Sequence, residues 1–364
     1  MPGSSRVSGY RQRRLDGLRE AAAGMGTDAF LVTRLPNVSY LTGFTGSSGY
    51  MLVTPGRTLF ITDFRYKTQS ALEVQGSEVV IQKGRWTEDV SSLVRELGIK
   101  RLGFEGGGMT FETHAALSGM LGGVELTPSK GVVEKLRLVK DEEEIRHITE
   151  AVRRAERGFT ENLPSVAPGI PEDTAALGLE CAVRRSGARK MPFDVIVASG
   201  PRAALPHGIA SGKVMEGGET FIIDFGGEAG GYQSDITRSG VFGEPDKKQA
   251  EVYDIVLEAQ ARAIDAVRPG ASCKDVDLAA RGYIASKGYG DCFGHGLGHG
   301  VGLEVHEAPS VSPMGEETVE AGMVFTIEPG IYIPGWGGFR IEDMVLVTND
   351  GCQVLTSLPK AIKY

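Results

Sequence analysis

FIIDFGGEAGGYQSDITRS, residues 221–239, decides how the second half of the chain is read. Two apolar runs flank a glycine-rich turn, and each carries a single aspartate, Asp224 and Asp235, among residues suited to strands. A hairpin turn centred on Ala229 and Gly230 sets the two aspartates directly opposite each other. Like charges facing across a sheet are destabilising, and burying them unpaired costs far more. Something must offset that repulsion.

Two further strand-like segments repeat the oddity. VFTIEPGIY (324–332) holds Glu328 inside an apolar run, and GFRIEDMVLVT (338–348) holds Glu342. Alternation along the second places Arg340 and Glu342 on one face and Asp343 on the other. Between them and the hairpin lies FGHGLGHGVGLEVHE (293–307), which gathers His295, His299 and His306, three of the six histidines. Its glycines disfavour a helix, so the spacing of His295 and His299 is not a helical metal clamp. Each piece alone has a bland reading. Hairpin aspartates are commonly turn or edge residues, a histidine in a glycine loop is commonly solvated, and Glu342 could simply pair with Arg340. Together they have one physical solution. Four carboxylates and one imidazole can hold two divalent cations whose charge cancels that of the acids, and such an oxygen-rich set suits manganese, cobalt, iron or zinc. Two ions that share a water generate hydroxide near neutral pH, which is hydrolase chemistry.

The bulk numbers agree with a soluble enzyme of two domains. The chain has 364 residues, 41% of them hydrophobic, and a net charge of −8. That leaves no basic field to recruit nucleic acid or anionic lipid. No apolar run reaches the length of a membrane span. The opening MPGSSRVSGYRQRRL has basic residues but no apolar stretch, which argues against a secretory signal. Cys181, Cys273, Cys292 and Cys352 are scattered, and free thiols of a cytoplasmic protein are the expectation.

Strands alternate with helices in the first third. Helices are expected over 10–25, 64–75 and 87–97, with strands at 28–33, 49–54, 58–63, 79–82 and 101–105, a layered α/β pattern. The glycine-rich stretch at 106–109 lacks the spacing and lysine of a phosphate loop and is read as a plain loop. A boundary falls near 128–135. Beyond it a long helix is expected to open at an N-cap Asp141 with Glu144 three positions on, with apolar residues at helical spacing and His147 left at the surface. Further helices near 171–187, 247–267 and 273–287, interleaved with hairpins, suggest a mixed sheet covered by helices in an α+β arrangement.

In order and spacing, DFGGEAGGYQSDITR, GHGLGHGVGLEVHE, TIEPGIY and GFRIED resemble the signature blocks of the pita-bread metallopeptidases (M24). Within them the likeness is to the Xaa-Pro branch, aminopeptidase P and Xaa-Pro dipeptidase (prolidase). NVSYLTGFTGSSGYMLVT and TDFRY resemble that branch's creatinase-like N-terminal domain. Residues 1–9 are expected to be a flexible tail, and the resemblance implies an α/β creatinase-like N-terminal domain over 10–130 and an α+β pita-bread catalytic domain over 131–364. Asp224 then resembles a ligand to one metal, His299 and Glu328 ligands to the other, and Asp235 and Glu342 the two bridges. It also implies attack on the scissile carbonyl by a hydroxide bridging the ions, with Glu328 as proton shuttle and His207 and His306 against the substrate. His295 and Arg340 fall at positions associated with the pocket for proline and the residue beyond it. The cofactor expected is two divalent ions per chain, Mn2+ first and Co2+, Fe2+ or Zn2+ as alternatives. The partners expected are small proline-containing peptides and a second copy in a homodimer. Methionine aminopeptidases share the five ligands, which keeps an aminopeptidase of other specificity as an alternative, but they usually lack such an N-terminal domain, and His295 and the RIED sequence favour the proline branch. A non-catalytic scaffold of the same architecture is the other, although such relatives have lost ligands and none is lost in this chain.

Overall fold

The computed structural model describes the backbone from residue 4 to residue 364, and side chains from residue 9 onward. The chain forms two compact units, one ending at Arg137 and the other running from Leu138 to Tyr364. Among the described residues, no helix is long and apolar enough to cross a membrane.

The first unit is built on a six-stranded mixed sheet. Its strands are β1 (Ala29–Val32), β2 (Tyr50–Val53), β3 (Thr58–Thr62), β4 (Glu78–Ile81), β5 (Arg101–Glu105) and β6 (Glu125–Ser129), in the order β4-β3-β2-β1-β5-β6. The central strands are buried on both faces, which is why AFLV and TLFIT read as unbroken apolar runs. Helices α1 (Ser4–Gly24), α2 (Leu35–Thr42), α3 (Lys67–Glu73), α4 (Trp86–Glu96), α5 (Phe111–Met120) and α6 (Val132–Leu136) complete it. Helix α1 opens at Ser4, so residues 4–9 are helical rather than part of a tail, because adding residues to an established helix is easy compared with nucleating one. Residues 1–3 of that expected tail lie outside the described residues. Helix α5 has no counterpart in the sequence reading because only Leu117 of it is buried, so no apolar stripe marks it.

In the second unit, α7 (Glu142–Asn162) starts with the Asp141–Glu144 capping box in place. It pairs with α8 (Glu172–Arg185), and α9 (Lys247–Ala266) pairs with α10 (Cys273–Ser286). The strands are β7 (Ile196–Ser199), β8 (Thr220–Phe225), β9 (Glu228–Ala229), β10 (Tyr232–Gln233), β11 (Ile236–Val241), β12 (Gly298–Gly300), β13 (Glu307–Val311), β14 (Val324–Ile327), β15 (Gly330–Ile333), β16 (Gly337–Arg340), β17 (Asp343–Val347) and β18 (Cys352–Val354). They assemble as β11-β8-β7, β13-β12-β14-β17-β18, β15-β16 and β10-β9. Every pairing among these named strands is antiparallel, so the sheet expected to be mixed is not. Successive strands that pair with each other are joined by turns and loops rather than by the helical crossover that parallel neighbours need, and the helices α9 and α10 lie between β11 and β12, which belong to different sheets.

Each helix pair covers its own core. Ile148, Val152 and Phe159 of α7 and Leu179 and Val183 of α8 pack on Phe221, Ile223 and Phe225 of β8. Val252, Val256 and Ala259 of α9 and Val276 and Ala280 of α10 pack with Phe325 and Ile327 of β14 and Val345 of β17. Period-two geometry then decides what the opposite faces carry. With Phe221, Ile223 and Phe225 against the helices, Asp224 is turned away from them. With Phe325 and Ile327 committed to the second core, Thr326 and Glu328 are turned away likewise. His147 is not a plain surface residue: it is half-buried, with its ring stacked on Tyr232 at 5.7 Å.

The hairpin register differs from the one the opening stretch suggested. Asp224 lies opposite Thr237, and Phe225 opposite Ile236, so Asp235 is diagonal to Asp224 and not its direct partner. The turn is centred on Gly230 and Gly231, with Ala229 paired to Tyr232. Both central glycines have left-handed φ, +60° and +89°, as a two-residue type I′ turn requires. GGEAGG offers two glycine pairs, and the first serves another purpose. A Cβ on Gly226 would lie 1.9 Å from the Ser234 carbonyl oxygen, so Gly226 lets the two strands approach closely, while a Cβ on Gly227 would lie 2.8 Å from the Ala151 carbonyl oxygen of α7. The shift of two positions preserves parity, so both aspartates still occupy the face away from α7 and α8.

Candidate metal centre

Asp224 sits on β8, Asp235 just before β11, His299 on β12, Glu328 just after β14, and Glu342 between β16 and β17. Strand parity turns all five side chains into one cavity of about 390 Å³. The same cavity is lined by His207, His295, His306 and Arg340, so the nine residues singled out from sequence meet in one place. Donor atoms fall into three overlapping groups, each with its atoms within 4.8 Å of one another: Asp224, Asp235 and Glu342; His299, Glu328 and Glu342; and Asp235, His299 and His306. His299 Nε2 is 3.3 Å from Glu328 Oε1 and 3.5 Å from Asp235 Oδ2. His306 stands beside it, with ring centroids 4.2 Å apart.

Electrostatics make this an uncomfortable arrangement for protein alone. Burial, followed by the charges of Glu342 and Asp224, pushes the Asp235 carboxyl well above its ordinary value. Burial and the charges of Glu328 and Asp224 do the same to Glu342, and burial raises Asp224 against the pull of Arg340. Burial works against Glu328 too, but the hydrogen bond and charge of His299 bring it down to about 2. Four acids are served by one permanent cation, Arg340. Its Nη2 donates to Asp224 Oδ2 at 2.7 Å, its Nε to Thr237 Oγ1 at 3.0 Å, and its Nη1 to Tyr332 OH at 3.0 Å and to the Pro206 carbonyl at 2.9 Å. Arg340 therefore does not pair with Glu342; Thr237 Oγ1 donates to Glu342 Oε2 at 2.7 Å instead.

One oxygen on each of three acids is left over. Asp224 Oδ1, Asp235 Oδ1 and Glu342 Oε1 are buried and have no hydrogen-bond partner among the described residues. A buried carboxylate oxygen without a partner is costly and rare. Three converging on one cavity beside an imidazole fit divalent cations, which would satisfy the free lone pairs and cancel the repulsion. The donor set holds no thiolate.

Several residues that shape the site went unnoticed in the sequence. Thr237 links Arg340 to Glu342, and Thr326 Oγ1 donates to Glu328 Oε1 at 3.1 Å. Both lie two positions from a candidate ligand on the same strand face, so a polar residue at period two within an apolar strand was the available signal. Tyr332 OH lies 2.9 Å from His295 Nε2 and accepts from Arg340, and burial pushes its hydroxyl up to about 12. Phe193, Ile196, Pro206 and Ile209 form the apolar part of the cavity wall. They come from segments no local pattern connects to the acids.

With this geometry in place, the chain was compared with known proteins. Residues 146–349 match the model of "Metallopeptidase family M24", and residues 14–139 match "Creatinase/Prolidase N-terminal domain". The chain is 39% identical to an Xaa-Pro dipeptidase of Pyrococcus horikoshii over 92% of its own length and 94% of that protein's. It is similar to the solved structure of an Xaa-Pro dipeptidase from Bacillus anthracis, with TM-score 0.95, 43% identity, and coverage of 97% of this chain and 100% of that one. It is also similar to that of an X-Pro aminopeptidase from Thermotoga maritima, with TM-score 0.87, 41% identity, and coverage of 93% and 97%. By both its sequence and its fold, the chain belongs to metallopeptidase family M24, a creatinase/prolidase N-terminal domain preceding its catalytic domain.

Proposed function

We propose that the chain is a metal-dependent exopeptidase that hydrolyses the bond between an N-terminal residue and proline, as an Xaa-Pro dipeptidase or an Xaa-Pro aminopeptidase. The observation that carries this reading is the trio of buried, partnerless carboxylate oxygens on Asp224, Asp235 and Glu342 facing one cavity. The names of the similar proteins support the substrate class. Asp224, Asp235, His299, Glu328 and Glu342 would hold two divalent ions, Mn2+ first and Co2+, Fe2+ or Zn2+ as alternatives, because the donors are oxygen-rich with one nitrogen. Such a pair, when bound, lowers the pKa of water and polarises a carbonyl.

The remaining work falls to side chains of this chain. A bond preceding proline has no N–H to donate, and the ring fixes φ. Recognition must therefore come from the ring, the carbonyl and the free N-terminus. Phe193, Ile196, Pro206 and Ile209 offer the ring an apolar wall. His295 and Arg340 border the space for proline and the residue beyond it. Burial, then the charge of His299, lowers His306, so its ring is neutral at pH 7 and keeps one N–H to give. His306 and His207 donate to the carbonyl and to the charge that develops on its oxygen. Against its burial, the hydrogen bond and charge of His299 keep Glu328 ionised, and as the shuttle it would take the proton that the attacking water gives up. It delivers that proton to the proline nitrogen as the C–N bond breaks, since a departing amine needs one.

The four free cysteines support a reducing, cytoplasmic setting for this activity, and the family resemblance supports a homodimer. The test is metal analysis of purified protein together with hydrolysis of Ala-Pro and Ala-Pro-Gly. About two ions per chain and cleavage after alanine are expected. Metal-replete protein inert on both peptides would sink the proposal, and equal or faster turnover of the tripeptide would exclude a strict dipeptidase.

A further inference from the structure

Three of the cavity's residues, Pro206, His207 and Ile209, belong to a loop that runs from the end of β7 to Lys213. Leu205, His207 and Ile209 in this loop are exposed, so packing alone does little to fix them. An acid outside the cavity ties the two ends of the loop together, alongside a backbone bridge between Ile196 and Ile209 and a bond from Lys213 Nζ to Ser199 Oγ at 3.1 Å. Glu172, the first residue of α8, is fully buried, and its two oxygens grip the two ends of the loop. Oε1 accepts from Ser199 N at 2.8 Å and Ser199 Oγ at 3.0 Å. Oε2 accepts from Arg202 Nε at 2.8 Å, Ser211 Oγ at 2.8 Å and Ser211 N at 3.3 Å. Arg202 extends the grip, its Nη2 donating to the Ile209 carbonyl at 2.5 Å. Asp173 N donates to the Ser211 carbonyl at 3.0 Å and Glu172 N to the Lys213 carbonyl at 2.9 Å, so backbone and side chain pull the same stretch onto the start of α8.

Both Glu172 oxygens are satisfied, unlike those of the metal-centre acids, and Glu172 reaches none of the five candidate ligands. Its bonds to charged and backbone donors are of the strong, charge-assisted kind. They close an Ω-like loop at its neck, while Arg340 holds the tip through the Pro206 carbonyl. Resting on the Xaa-Pro reading above, we propose that Glu172 is a positioning residue for substrate: by clamping Ser199 to Ser211 it sets His207 and the Pro206–Ile209 wall at their working distance from the scissile bond. It touches neither substrate nor metal and acts through the loop.

The test is a double-mutant cycle on kcat/KM for an Xaa-Pro substrate, using Glu172→Gln, His207→Ala and the pair, each with metal content and thermal unfolding measured. The amide keeps the size of the side chain but turns one accepting oxygen into a donor, which releases one end of the loop. A displacement of about 1 Å is enough to cost on the order of 100-fold. E172Q should therefore lower kcat/KM by about 10- to 100-fold with metal content unchanged, and add less than about threefold once His207 is gone, since residues acting through one another are not additive. If E172Q folds poorly, Ser211→Ala removes one clamp donor and should show a smaller effect with the same dependence on His207. Effects of E172Q or S211A that multiply fully with that of H207A, or no effect at all, overturn the proposal. Wild-type protein that fails to cleave Xaa-Pro bonds counts against the underlying activity instead, before any variant is made.

Discussion

Glu342 and Asp343 are consecutive and both almost fully buried, yet they differ in their partners and in the direction in which their surroundings shift them. Glu342 has one oxygen on Thr237 and one with no partner, and burial with neighbouring acids pushes it well above its ordinary value. Asp343 faces the other way, toward α9 and the C-terminal segment. Its Oδ1 accepts from Arg238 Nη2 at 2.8 Å and Thr356 Oγ1 at 2.6 Å, and its Oδ2 from Lys360 Nζ at 2.6 Å and Gln260 Nε2 at 3.2 Å. Burial opposes its charge, but Arg238 and Lys360 outweigh it and hold the carboxyl below its ordinary value. Burial alone does not identify a functional acid. A satisfied acid beside an unsatisfied one separates the group that stabilises the fold from the group that waits for a ligand.

The strongest way to break the comparison is to make the same isosteric change on each side. Asp235→Asn in the cavity should abolish divalent-metal loading and reduce Xaa-Pro hydrolysis to background while the protein still folds. Metal analysis and an Ala-Pro assay check this. Asp343→Asn, or Arg238→Met, should act on stability instead. Arg238 is 1% exposed and also donates to the carbonyls of Thr237, Glu342 and Leu358. Removing one partner from such a buried ion pair costs about 3–5 kcal/mol. Urea unfolding should report that loss. A full-strength D343N protein would show that the satisfied cluster contributes nothing to the fold.

A smaller effect sharpens the same contrast. Metal-free protein should gain stability on adding Mn2+, because only the folded state brings the five donors together. The gain is about 2.7 kcal/mol at a free concentration 100 times Kd, read as a rise in Tm. It should vanish in D235N and persist in D343N adjusted for its lower baseline.

The same physics decides how much of this was legible in the sequence. The acids stood out because each interrupts an apolar strand, and strand parity is a local property that survives into the fold. That is why Asp224, Asp235, Glu328 and Glu342 reached one cavity even though the hairpin register was read two positions off. The register itself was hidden because GGEAGG contains two glycine pairs, and only tertiary contact tells a turn from a close strand approach. The neutral connectors Thr237 and Tyr332 carry no charge signal. The clamp at Glu172 joins residues 27 and 39 positions away in sequence, and Arg238 reaches Leu358 across 120, distances at which local patterns are silent.

The smallest predicted effect is a difference in sign. In metal-free protein the folded state holds the Asp235 proton more tightly than the unfolded state does. As pH rises above the ordinary aspartate value of 3.8, the unfolded chain releases its proton first, so stability falls until the folded carboxyl also ionises. Asp343 runs the other way. Its folded carboxyl ionises below 3.8, so its contribution is fully present above that value and is lost as pH drops through the lower folded one. Each group changes stability by at most about 1.4 kcal/mol per pH unit. Urea midpoints of EDTA-treated protein, measured between about pH 3 and pH 8, should show D235N gaining on wild type with rising pH above 3.8. Over the same series the deficit of D343N should be constant above 3.8 and shrink in acid. Parallel profiles for the two variants would mean that the cavity acid Asp235 and the paired acid Asp343 are not electrostatically distinct, and the division between a satisfied and an unsatisfied acid would lose its meaning.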